Sequence, residues 1–139
     1  MKKIAIASSA KFQDEINYWK EYFERKGYNV INYPEKINQD DIYVYEKVYR
    51  EFYNSLVETD VLFVLNEDKN GIEGYIGAET FAELSFVVAN NIINNSNKEI
   101  YLLKMPSEQV QSYVEIINFI KLGWVKIFDS DIEKGVING

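Results

Sequence analysis

DVLFVLN, Asp60–Asn66, is the stretch whose reading decides the fold. Five consecutive apolar residues, Val61 to Leu65, stand between two short polar ones. A strand with one wet face would alternate apolar and polar. A run with no polar face is the pattern of a central parallel strand covered on both sides. Parallel strands need long crossover connections, usually helices, before and after them, so the flanking sequence should supply amphipathic helices.

It does so in both directions. Upstream, DDIYVYEKVYREFYNSLVETD (40–60) puts Ile42, Tyr45, Tyr49, Phe52 and Leu56 on one helical stripe, with Asp40 and Asp41 suiting the positive end of the dipole. Before it, YNVINY (28–33) has strand composition. KFQDEINYWKEYFERKG (11–27) is a helix with Phe12, Ile16, Trp19 and Phe23 on one face and Gly27 at its C-terminal end. KIAIA (3–7) opens the series as a buried strand. Downstream, the loop EDKNGIEGYIG (67–77) leads into the helix AETFAELSFVVANNI (78–92), then the strand EIYLL (99–103). The helix SEQVQSYVEIINFIKLG (107–123) and the strand WVKIF (124–128) complete the alternation, and SDIEKGVING (130–139) reads as a last helical turn. Asn90–Glu99, rich in asparagine, reads as a helix end and loop.

Strand and helix alternating in this way predict a three-layer α/β/α sandwich around a five-stranded parallel sheet, flavodoxin-like or Rossmann-like. Right-handed crossovers favour the strand order 2-1-3-4-5. The 139 residues fit one domain, 1–139, without linker or repeat. In MKKIAIASSAKF the apolar run, Ile4–Ala7, is far shorter than a secretory core of about 7–15 residues. No segment approaches the roughly 20 apolar residues of a membrane span, so a cytoplasmic location and no membrane partner are expected.

Composition narrows the chemistry. The chain has no cysteine and no histidine, which removes thiolate nucleophiles, imidazole acid–base catalysis and the common nitrogen and sulfur metal ligands. Catalysis would have to use carboxyl, phenol, amine or hydroxyl groups, and no metal or cofactor is expected. A net charge of −7 argues against a nucleic-acid polymer as partner. Neither GxGxxG nor GxxxxGK[ST] occurs.

In the order 2-1-3-4-5 the binding crevice lies at the carboxyl ends of strands 1 and 3. Two loops therefore face a ligand: Ser8–Lys11, and Asn66–Gly77 with Tyr75 between its glycines. Ser8 and Ser9 either cap the first helix or hold a phosphate or sugar oxygen. Tyr75 is placed to cover a base or sugar, in a loop, GIEGYIG, of the kind that closes over ligands. Glu79 and Glu83 lie one turn apart on one helical face. Thr80-Phe81-Ala82-Glu83 also fits a capping box, with Thr80 capping and Glu83 bonding back. The tyrosines 43, 45, 49 and 53 mostly match a core-facing stripe, or a subunit interface.

IAIASS, the helix to KGYNV, TDVLFVLNED, the glycine loop and ETFAELSFVVA together resemble the nucleoside 2-deoxyribosyltransferase family over about residues 3–105. Thr80-Phe81-Ala82-Glu83-Leu84 matches its Thr-x-x-Glu-Leu element. The resemblance implies a small-molecule nucleoside or nucleotide as partner and Glu83 as a nucleophile that attacks the anomeric carbon and expels the base. Another base or water then resolves the glycosyl ester. It further implies Glu67 in base protonation or recognition, Ser8 or Ser9 on a 5′-phosphate in related hydrolases, and a homo-oligomer. Two positions depart from the family: Glu79 replaces the glycine before the threonine, and Ala5 stands where a tyrosine is frequent. A non-catalytic nucleotide-binding domain on the same fold is the alternative.

Overall fold

The computed structural model describes residues 1–129. The elements are β1 (Lys3–Ala7), α1 (Gln13–Arg25), β2 (Asn29–Asn32), α2 (Ile42–Glu58), β3 (Val61–Val64), α3 (Ala78–Asn94), β4 (Glu99–Leu102), α4 (Tyr113–Lys121) and β5 (Lys126–Ile127). They form one sheet in the order β2-β1-β3-β4-β5, every pair parallel. The expected architecture and strand order are therefore those of the molecule. Among the described residues no helix is long and apolar enough to cross a membrane.

The run that announced the central strand does what its composition requires. Val61 to Leu65 are all buried. Alternation across the pleat sends Leu62 and Val64 to one face with Ala5 and Ala7, under α2, α3 and α4. Val61, Phe63 and Leu65 go to the other face with Ile4 and Ile6, under α1. Each of the valine, leucine, isoleucine and phenylalanine side chains contributes about 1.5–3 kcal/mol by leaving water. Trp19 and Phe23 of α1 seat on Phe63, with ring centroids 5.2 and 5.0 Å apart. Ala5, the position of the family tyrosine, is wholly buried in the α2–α3 face.

Helix ends follow local chemistry. Asp41 is the N-cap of α2 and accepts the amides of Tyr43 and Val44 at 3.1 and 3.2 Å. After α1 the chain turns through Gly27 at φ +93°, a conformation that glycine adopts without a Cβ clash. Two helices differ from their sequence pattern. Residues 107–112 are turns rather than the start of α4, because the Ser107 carbonyl and hydroxyl take the amides of Val110 and Gln109. The stripe on α2 is buried only at Phe52 and Leu56, while Ile42, Tyr45 and Tyr49 are exposed. A 17-residue helix is about 26 Å long. A four-residue strand spans about 13 Å. The first turns of α2 therefore overhang the sheet with no strand beneath them. The fifth strand is reduced to Lys126–Ile127, and the expected last helical turn, 130–139, lies outside the described residues.

Candidate functional site

The overhang builds a crevice at the carboxyl ends of β2, β1 and β3. It is a cavity of about 400 Å³, within the usual range for small-ligand sites. One wall is the β1–α1 turn, with Ser8, Ser9 and Lys11. The opposite wall is the end of the β3–α3 loop and the start of α3, with Tyr75, Gly77, Glu79, Thr80 and Glu83. The structure thus brings together all the expected site residues except one. Glu67 lines a separate, open depression with Asp14, Glu15, Trp19 and Lys104. Its side chain leaves β3 toward the α1 face. Desolvation there raises its pKa, against the attraction of Lys104.

Glu83 is the unusual group. It is 6% exposed, and among the described residues no donor bonds its carboxyl. Burial, and secondarily the charge of Glu79, push its pKa up to about 8. Ordinary burial of an acid comes with partners, so an unpartnered carboxyl opening on a cavity is a group poised for a ligand. Glu79 is exposed at the mouth, in the first turn of α3, and does not fill the crevice. Tyr53 sits behind Glu83. Its phenol is pushed above its usual range by burial first, then by a hydrogen bond with Tyr49 and by the charges of Tyr49, Glu83 and Glu79.

The start of α3 differs from a capping box. Gly77 is the N-cap, no side chain caps the helix, and Phe81 N–H donates to the Gly77 carbonyl at 2.9 Å. Thr80 is thereby the third helical residue, buried, and Glu83 lies beyond reach of the first amides. The glycine has a second consequence. A Cβ at Gly77 would stand 3.1 Å from the Tyr75 hydroxyl, so Tyr75 lies directly against the helix start.

The β3–α3 loop is tied to its neighbours by side-chain hydrogen bonds. Asn66, 1% exposed, donates from Nδ2 to the carbonyls of Gly74 and Lys104 and accepts the Lys104 amide at Oδ1. Asp68 Oδ1 takes the Gly74 amide at 2.9 Å and the Lys104 ammonium at 3.1 Å, which holds its pKa below the usual range. Lys69 pairs with Ile72, and Tyr75 N–H donates to the Glu67 carbonyl. Across the crevice Ser8 Oγ donates to the Leu65 carbonyl at 2.9 Å, tying β1 to β3, while Ser9 Oγ accepts the Lys11 amide.

The sequence pattern missed the third wall. Tyr33 and Glu35 after β2, and Tyr45, Tyr49 and Glu51 on α2, also line the cavity. The signal was present in the expected strand order: β2 flanks β1, so its exit must pass the same crevice. Among the described residues no group of three or more acidic side chains is arranged to hold a metal ion.

The class of protein defined by fold and site is a doubly wound parallel α/β protein with a buried carboxyl at its topological switch point. No family model, curated protein or solved structure matches the chain.

Proposed function

We propose that the protein cleaves or exchanges the N-glycosidic bond of a nucleoside or its 5′-monophosphate, with Glu83 as nucleophile. The observation that carries this reading is the unpartnered, buried Glu83 carboxyl on the wall of a nucleoside-sized crevice, in a chain without histidine or cysteine. A Glu83 oxygen forms a bond to the anomeric carbon as the carbon–nitrogen bond breaks, and the base leaves. A second base or water then attacks the glycosyl ester and frees the carboxylate, as in retaining glycosidases. Burial strips water from the carboxylate and raises its basicity. The opposing effect is that about one molecule in ten is ionised at pH 7 when the pKa is about 8. Tyr75, lying against Gly77, covers the ligand from the loop side, and half-buried Ser9 is the more accessible of the two serine hydroxyls in the β1–α1 turn.

A binding role without turnover has one feature in its favour: burial pushes the Glu83 carboxyl up to about 8, so its mostly protonated form at neutral pH can donate to a ligand acceptor. Incubation with a panel of nucleosides and 5′-monophosphates separates the two readings. Free base that disappears in a folded Glu83→Gln variant supports catalysis, and release that depends on an acceptor base identifies a transferase. Binding without base release supports the second reading. The homo-oligomer fits the exposed end of α2 at Ile42 and Tyr43. Sedimentation would give its size, and a monomer at micromolar concentration would remove it.

A further inference from the structure

Which ligand charge the crevice favours follows from its lining. Glu35, Glu51, Glu79 and Glu83 face it, against Lys11 and Lys69. Part of what would hold a phosphate is engaged or opposed: Ser8 gives its proton to the Leu65 carbonyl, and Glu79 sets a negative charge in the first turn of α3, beside the helix amides an anion would use. Tyr33, Tyr45, Tyr49, Phe52 and Tyr75 bring aromatic rings to the lining. One of them shows its preference directly: the Lys69 ammonium sits 4.6 Å from the centroid of the Tyr75 ring. Tyr45, 37% exposed on the α2 wall, adds a second ring to the lining, while one face of Tyr49 is stacked on Tyr53 at 4.5 Å.

The leaving group poses a second constraint. A neutral base departs easily only if an acid protonates it. Glu67, the expected acid, lies outside the cavity, and Glu83 must itself be ionised to attack; a base that already carries its positive charge asks no proton of Glu35, Glu51 or Glu79. Lysine ammonium groups are weak acids, ordinarily near 10.4.

We propose that the crevice takes nucleosides whose base already carries a positive charge, such as a pyridinium or an N-alkylated purine, in preference to neutral nucleosides and to 5′-phosphates. This rests on the glycosyl-transfer reading of Glu83. The chemistry balances without an acid. The Glu83 oxygen bonds to the anomeric carbon while the electron pair of the breaking carbon–nitrogen bond goes to the cationic ring, which leaves neutral. Water then adds to the anomeric carbon, regenerates the Glu83 carboxylate and releases one proton to solvent.

The test compares kcat/KM, corrected for spontaneous hydrolysis, for nicotinamide riboside, 7-methylguanosine, guanosine, their 2′-deoxy forms and their 5′-monophosphates. Expected is a preference of about thirtyfold or more for the cationic, unphosphorylated members, from combined carboxylate and ring attraction. Glu79→Gln should reduce that preference, read as the ratio of kcat/KM on cationic to neutral members, about fivefold, whatever change in the nucleophile is common to both. Equal or faster cleavage of neutral or phosphorylated members overturns the charge inference and leaves the glycosyl reading standing. No cleavage of any member by the folded protein overturns both. If Glu79→Gln alters neutral and cationic substrates alike, electrostatic selection is refuted even where cationic members are cleaved faster.

Discussion

Replacing Glu83 with glutamine should stabilise the protein in alkaline solution and leave it nearly unchanged in acid. The carboxyl rises from an ordinary 4.5 to about 8 on folding, chiefly by desolvation. Between these values the native state holds a proton that the unfolded chain has released. Stability therefore falls as pH rises through that window, and the loss is complete above about 8. At about 1.4 kcal/mol per pKa unit the ceiling is about 5 kcal/mol. Side-chain relaxation and water entry reduce such penalties, so about 2–4 kcal/mol is expected. Glu83 is 6% exposed, so solvent screening removes little more. Glutamine resembles the protonated acid in shape and carries no charge. Urea unfolding of both proteins at pH 5 and pH 9 measures the difference, and the comparison cancels groups that titrate alike in both. A variant no more stable than wild type at pH 9, or one whose advantage is equal at both pH values, would refute a buried, unpartnered carboxyl.

Four further outcomes follow from the same geometry. If Glu83 is the nucleophile, kcat/KM rises with pH and levels off above about 8; if it donates a proton to a bound ligand, affinity falls over the same range, as calorimetric titration would show. Gly77→Ala places a methyl 3.1 Å from the Tyr75 hydroxyl, so activity should drop about tenfold or more through displacement of Tyr75, with thermal stability little changed. Gly74→Ala should cost about 2 kcal/mol or more in urea unfolding, because φ is +62° and the new Cβ would lie 2.8 Å from the Met105 carbonyl oxygen. Asn66→Ala strips three hydrogen bonds from a buried position and should cost about 2–3 kcal/mol, with faster amide exchange in the β3–α3 loop.

The sheet was legible in the sequence because its strands are apolar on both faces. Val61–Leu65 and Ile4–Ala7 have no polar side and fit one environment, and the helices between them carry regular stripes. The opening of α2 was not legible. Its tyrosines continue the stripe set by Phe52 and Leu56, and periodicity does not reveal that the strand beneath has ended. What looked like core there is the third wall of the crevice. Thr80 and Glu83 have capping-box spacing, but the helix begins at Gly77, since a capping hydroxyl is dispensable where glycine takes the extended N-cap conformation. Glu67 misled for a different reason. Adjacent residues after a strand point to opposite faces, and one position separates the crevice from the α1 side.

The most direct measurement is intact-protein mass spectrometry on the protein quenched during incubation with nucleosides and 5′-monophosphates, with free base quantified in the same samples. The account predicts a sugar adduct that maps to the peptide bearing Glu83, base release in step with it, and neither in Glu83→Gln. Base release with no adduct on a fully sampled protein, or an adduct on another residue, would contradict Glu83 as the nucleophile.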